Sequence, residues 1–343
     1  MAMANISVGE LLHGCVPGRI QSVGYMQVIP LISGIEDERF VSPRRAKVST
    51  TTYGTLVFDN TENKEVIVPA QAAYIVKQAA QDHAMTTVGL VPKKKTISFN
   101  TAACIQQTQG GTIYSDEHEM IILPVELRND AHQVRKKLGY EKLWPAINAM
   151  NERYGVSRGY GAQGHLEYFM DAFKTQLDCF VAEFEPVPKQ VGAIVLVGGR
   201  VVGIERTPNE EYWRDIWRTL IRECYGSLAI LEQRKHATKA PPVPKTREAL
   251  PKATDLSDLK TKLRQTQDRE YSNVKTIVEN VAALKLDRST DATSGSFVVD
   301  AVEGDSFVGQ VVVDGEKIVY ASLVARGSQA KNEDWFLGKR FAM

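Results

Sequence analysis

QVGAIVLVGGRVVGIERTPNEEYWRDIWRTLIRECYGSLAIL, residues 190–231, is the stretch whose reading sets the fold. Val191, Ala193, Val195 and Val197 alternate with Gly192, Ile194 and Leu196, so neither face of this strand is polar. That is the pattern of a strand buried on both sides. Gly198-Gly199 supplies the two positive-φ residues of a tight hairpin turn, and Val201, Val202 and Ile204 make the return strand. Thr207-Pro208-Asn209-Glu210 then reads as a helix start, with Thr207 as N-cap, Pro208 in the first helical position and Glu210 closing a capping box. Tyr212, Trp213, Ile216, Trp217, Leu220, Ile221 and Cys224 recur at helical spacing and form an aromatic apolar face. The paired glycines do not make a phosphate loop: no GxGxxG is present, and a strand separates them from the helix.

Upstream, residues 20–127 carry short apolar segments punctuated by Pro17, Pro30 and Pro43 and by turn residues such as Asp59-Asn60. These read as strands, closing with Met120–Leu127 (MIILPVEL), without crossover helices between them. A mostly antiparallel sandwich or rolled sheet is expected. Helical spacing begins near Asp130 and runs to Tyr154-Gly155, with Pro145 implying a kink or two short helices. A second helix is expected from Leu166 to about Phe184. Residues 233–254 (QRKHATKAPPVPKTREALPKAT) read as a proline-rich linker or arm. Asp255–Lys285 resumes helical spacing through Leu256, Leu259 and Leu263, and again from Val274, with a polar gap between. Three short strands follow, Gly295–Val302, Ser306–Val313 and Lys317–Val324, the last two joined at Asp314-Gly315. The expected class is α+β. It combines a β-rich part over 1–128, helices with the central hairpin over 129–232, the arm at 233–254, and a helix with a small β element over 255–343. These parts form one core or two.

Composition narrows the function classes. With 343 residues, 43% hydrophobic and 24% charged, the chain has the make-up of a soluble globular protein. A formal net charge of +1 gives no global attraction to nucleic acid, and Arg44-Arg45 and Lys93-Lys94-Lys95 are too short to make a basic footprint. No apolar run approaches a membrane span, so no membrane partner is expected. Cys15, Cys104, Cys179 and Cys224 are widely spaced, lack zinc spacing and suit a reducing, cytoplasmic compartment.

Few residues suggest chemistry. Gln81-Asp82-His83 sets an imidazole beside a carboxylate, but neighbours on a strand face opposite ways, and a polar loop is the better reading. Asp116-Glu117-His118-Glu119 reads as a solvated turn, and no metal site is expected. Asp300, Glu303, Asp305 and Asp314 fit turn preferences. Ser157–Gly164 (SRGYGAQG) is the best anion-binding loop: Gly159 and Gly161 free backbone N–H groups, Arg158 adds a guanidinium, and Leu166 starts a helix nearby. A plain connecting loop is the alternative. No nucleophile elbow, zinc helix, P-loop or catalytic-cysteine signature occurs, so no catalytic residue and no cofactor is expected.

The order of features resembles a known family. Thr55–Asn60, Val66–Pro69, Gln81-Asp82-His83, Cys104-Ile105-Gln106, the Lys142–Gly155 helix with Trp144, Ser157, and the hairpin with its aromatic helix come in the order of the ADP-ribosylglycohydrolase- and rhodanese-phosphatase-associated protein domain, found in bacteria and phages. The resemblance covers most of the chain and is strongest over 190–231. It implies an accessory protein of systems that handle NAD or ADP-ribose, with Gln81 and His83 as ligand contacts beside Arg158, Gly159 and Gly161. The family pattern has Gln-Asn-Arg at Gln81-Asp82-His83 and Cys-Val-Glu at Cys104-Ile105-Gln106. His83 in place of arginine removes a fork suited to phosphate, and Gln106 in place of glutamate removes an acid or base.

These readings favour a non-enzymatic, homo-oligomeric binding or assembly protein, cytoplasmic or part of a phage virion, with itself and other assembly proteins as partners. The alternative is a binder or hydrolase of ADP-ribose or NAD-derived nucleotides.

Overall fold

The computed structural model describes residues 4–50, 52–75, 82–107, 118–137, 141–156, 164–236 and 253–327. It is an α+β protein built on one ten-stranded antiparallel sheet. From edge to edge the strands run β1 (Ala4–Ser7), β18 (Lys285–Ser294), β19 (Phe297–Glu303), β20 (Phe307–Asp314), β21 (Lys317–Ala325), β17 (Arg200–Arg206), β16 (Gln190–Val197), β4 (Met26–Ser33) and β2 (Cys15–Pro17), while β3 (Gln21–Val23) also pairs with β4. Strands from both ends and the middle of the chain therefore share one sheet.

The hairpin at 190–206 lies near its centre. All eight residues of β16 are buried. Ala193, Val195 and Val197 enter the larger core and Ile194 and Leu196 the smaller one on the opposite face. This two-sided burial is why the stretch lacks polar alternation. Gly198 and Gly199 turn the chain with φ of 58° and 76°.

The larger core is closed by smaller sheets and helices. A five-stranded sheet has the order β14 (Glu119–Ile122), β9 (Ala72–Ile75), β10 (His83–Ala84), β13 (Ala103–Cys104), β15 (Glu141–Lys142). Two three-stranded sheets flank it: β11 (Gly89–Val91), β8 (Glu65–Val68), β5 (Phe40–Val41), and β12 (Thr96–Phe99), β7 (Leu56–Asp59), β6 (Lys47–Ser49). The helices of this side are α2 (Val125–Gln133), α3 (Trp144–Arg153), α4 (Leu166–Ala172), α5 (Lys174–Glu183), α6 (Glu210–Thr219) and α7 (Gly226–Lys235). On the opposite face, α1 (Val8–Leu11) and α8 (Leu256–Ala282) cover the smaller core.

Several local expectations change. The helix after the hairpin is capped by Asn209, whose Oδ1 accepts from the Tyr212 N–H at 2.8 Å, and not by Thr207. Thr207 still bonds Val191 through its N–H and hydroxyl, so the chain remains extended there. The aromatic helix ends in a π-helical turn, Leu220–Tyr225, before α7. Met120–Leu127 is a strand only as far as Ile122; Pro124 then starts α2. Leu166–Phe184 breaks at Phe173 into two helices, whereas the segment after Asp255 is one helix despite its polar middle. Strand β18 was not foreseen.

Candidate functional site

In-register neighbours of adjacent strands share a sheet face. Across the five-stranded sheet this places Met120, Tyr74, His83, Cys104 and Lys142 in one row. His83 is fully buried in a strand, not on a polar loop. Its Nε2 serves as an acceptor for the Gly54 N–H at 3.1 Å. The Tyr53 ring stacks alongside at 6.4 Å and is half exposed, forming an aromatic mouth to the row.

Cys104 donates its thiol proton to the Gln106 carbonyl at 3.0 Å and accepts from Trp144 Nε1 at 3.2 Å. The Asp82 N–H donates to Gln106 Oε1 at 3.2 Å, and the Ile105 N–H donates to the Asp82 carbonyl. Gln106 also bridges to His165, and the neighbouring Gln107 accepts the Gly164 N–H through its Oε1 at 3.1 Å. A Cβ on Gly164 would lie 2.6 Å from Trp144 Cβ, so only glycine fits there. Three elements distant in sequence thus meet: 82–83, 104–107 and the end of the glycine-rich loop. Of the expected ligand contacts, His83 is in this cluster; Arg158, Gly159, Gly161 and Gln81 lie outside the described residues.

The row's exposed end opens onto a cleft. Lys142 lies over the Trp144 ring at 4.7 Å and also lines a cavity of about 430 Å³ between α2 and α3. Its polar wall is Glu126, Asp130, Lys142 and Arg153; Leu127, Leu143 and Met150 contribute apolar floor. Glu126 is 1% exposed, and Arg153 Nη1 approaches its Oε2 at 3.0 Å. The Tyr154 hydroxyl donates to the Ser227 carbonyl at 2.8 Å and lies 3.4 Å from Glu126 Oε1. Burial outweighs the pull of Arg153 and raises the Glu126 pKa; Asp130, one turn along α2, is exposed. Two carboxyls and two cations therefore line one cleft. Carboxyl oxygens can accept hydrogen bonds from hydroxyl groups, and the cations can pair with an anion. The sequence gives no sign of the cleft, because Met120–Leu127 reads as one strand whereas Glu126 lies in helix α2, and no motif links it to Arg153.

A family profile described as the ARG and Rhodanese-Phosphatase-superfamily-associated Protein domain matches residues 14–324. The chain belongs to that family. No curated protein and no solved structure matches it. In this rhodanese-phosphatase-associated domain the strands of His83 and Cys104 pair, and Gln106 follows the second of them into the same cluster.

Other sequence candidates in the domain are structural. Asp300, 1% exposed, accepts from Arg288 Nε and from Thr290 Oγ1 in mid-strand, which turn preference does not explain. Glu303 receives Arg135 and Arg326, and Asp314 receives Arg39. His118 packs edge-on against Tyr74 at 5.2 Å; Asp116 and Glu117 lie outside the described residues. Among the described residues no three His, Cys, Asp or Glu side chains are grouped to hold a metal, and no helix is long and apolar enough to cross a membrane.

Proposed function

We propose that this protein is an accessory binder of an ADP-ribose-type nucleotide, taken up in the α2–α3 cleft and held without chemistry on it. The observation that carries this reading is the placement of Lys142 and Arg153 opposite Glu126 and Asp130 over an apolar floor. Its 430 Å³ is within the range of small-molecule sites. The cations suit a diphosphate, the carboxyls suit ribose hydroxyls, and the family's description as an ARG-associated domain is compatible with ADP-ribosylglycohydrolase-type systems. Arg158 is proposed as a further phosphate contact from its loop. Gln106 offers no acid or base, and the buried His83 has its Nε2 occupied by the Gly54 N–H, which supports binding over turnover.

Calorimetric titration with ADP-ribose, with product analysis of the same samples, tests this. Binding without product is expected, with Lys142→Ala weaker by roughly tenfold through loss of one charge-assisted contact. At about 100 times the dissociation constant, the ligand should add roughly 2.7 kcal/mol to stability. No binding and no thermal shift with ADP-ribose, ADP or NAD would sink the reading; AMP with ribose 5-phosphate or ADP with ribose from ADP-ribose, or nicotinamide from NAD, would replace the binder by a hydrolase.

A second reading, an assembly or virion component, draws support from the exposed Leu256 and Tyr271 of α8. Native mass spectrometry separates the two: a nucleotide-mass adduct favours the first, a bare discrete oligomer the second.

A further inference from the structure

A cavity of about 590 Å³ lies on the other side of the large sheet from the α2–α3 cleft. Its floor residues Ile6 and Ile318 belong to the smaller core, whereas Leu127, Leu143 and Met150 of the cleft belong to the larger one. Strands β1 and β18, helix α1, the end of β17 and the turn between β20 and β21 frame it. Strand alternation supplies its cations. Ile204 and Leu286 point into the smaller core, and the residues two steps further along their strands, on the same face, are Arg206 and Arg288. Both line the cavity. On two strands the inner face thus turns from apolar to cationic where the core meets the opening.

Each guanidinium is half-buried and steered by a bond to the protein. Arg206 donates through Nη1 to the Leu11 carbonyl at 2.6 Å, which ties β17 to α1. Arg288 donates through Nε to Asp300, a carboxylate that Thr290 also reaches. Arg206 Nε and Nη2, and both Nη atoms of Arg288, have no acceptor among the described residues. The acids in the wall do not take them up. Glu10 Oε2 accepts from the Ser7 N–H at 2.6 Å and from its hydroxyl at 2.7 Å, and Glu316 is exposed at the hairpin turn. Lys317 is spent on Asp37 at 2.9 Å. Asp300 offsets the charge of Arg288 but engages only its Nε, and no carboxylate pairs with Arg206. Two oriented forks with donors to spare, beside an apolar floor, are suited to an oxyanion carried on an organic body. The volume is that of a small-molecule site.

We propose that this cavity binds the phosphate group of a small organic phosphate, with Arg206 and Arg288 as its two forks and Ile6 and Ile318 beneath the organic body. The site is separate from the α2–α3 cleft and does not depend on what that cleft holds.

Titration of the full chain with inorganic phosphate at constant ionic strength, followed by phosphorus NMR, is the test. Saturable line broadening is expected for the wild type. Arg206→Gln, whose amide still reaches toward the Leu11 carbonyl, should bind roughly tenfold more weakly. Arg288→Lys keeps a cation on Asp300 but lacks the fork, and should weaken binding by a similar factor. Lys142→Ala, in the cleft, should leave phosphate affinity unchanged. The absence of saturable broadening, wild-type affinity in both arginine variants, or a loss confined to Lys142→Ala overturns the proposal. Acetate displacing phosphate at equal concentration would overturn the assignment to phosphate.

Discussion

Arg128 and Glu205 form an ion pair with both side chains closed off from water, Nη1 to Oε1 at 2.8 Å. Arg128 comes from α2 and Glu205 from β17, so the bond fastens the helix wall of the cleft to the central sheet. The guanidinium also donates through Nε to Gln71 Oε1 at 3.1 Å and through Nη2 to Ser322 Oγ at 2.5 Å. Tyr225, from the π-helical turn, donates to Glu205 Oε1 at 2.6 Å, and Ser322 donates to the other carboxylate oxygen. Every arm of the network is satisfied, which is the condition under which a buried charge is tolerated.

Removing one partner leaves the other buried and unpaired. Arg128→Ala should cost about 3–5 kcal/mol, read as a lower urea midpoint at unchanged slope. Arg128→Met combined with Glu205→Leu should cost less than the sum of the two single changes. Additivity of the single effects would show that the pair is not coupled.

Gly203 makes room for this network. A Cβ there would lie 2.0 Å from Tyr225 Oη and 2.3 Å from its Cζ. Tyr225 is held by its bond to Glu205 and cannot simply move aside. Gly203→Ala should therefore destabilise by about 1–3 kcal/mol, and adding Tyr225→Ala should not destabilise by the full sum of the single effects. Equal thermal midpoints for wild type and Gly203→Ala would contradict the close approach.

The hairpin, its glycine turn and the last three strands were legible because their physics is local: two-sided burial, positive φ and a two-residue turn each leave a mark within a few residues. Strand β18 left none. KLDRSTDATS, residues 285–294, has one buried residue, Leu286, and no apolar alternation. It is a strand because β1 and β19 offer it ladders on both sides, a fact held by chain segments about 280 residues apart. The helix cap at Asn209 was misplaced for a similar reason, since Thr207 is kept extended by Val191 across the sheet. Of the candidate site, the grouping of His83 with Cys104–Gln106 had a sequence signal only as an order of motifs. Glu126, Asp130 and Arg153 had none, because their convergence depends on how α2 packs on α3.

Thiol chemistry should sort the cysteines by burial. All four are outside disulfides; Cys104 and Cys224 are fully buried, whereas Cys15 and Cys179 are partly exposed. Burial also pushes the Cys224 thiol up to about 12, which suppresses the reactive thiolate. Titration of the native protein with a chromogenic disulfide should label two thiols, and denaturant should release the other two. Labelling of Cys104 or Cys224 at the rate of the exposed pair, located by peptide mapping, would contradict the packing of the row and of the Arg128 network.

His132 gives the fold a pH dependence of known sign. It lies on α2, 2% exposed, with Nε2 at 3.2 Å from Glu303 Oε1. Burial, reinforced by the neighbouring Arg135, lowers its pKa from the usual 6.5 to about 4, against the opposing pull of Glu303 and Asp291. At neutral pH the contact with Glu303 is consequently a hydrogen bond from a neutral ring. Between those two values the unfolded chain binds the proton and the folded chain does not, so stability rises with pH across that window. The contribution is fully present above pH 6.5, declines as the pH falls, and is gone below about 4. Its full size is about 3 kcal/mol. His132→Gln, which keeps a donor facing Glu303 without a titrating ring, should flatten that part of the curve in urea unfolding measured at successive pH values. An unchanged slope in the variant would assign the acid sensitivity to the carboxylates instead.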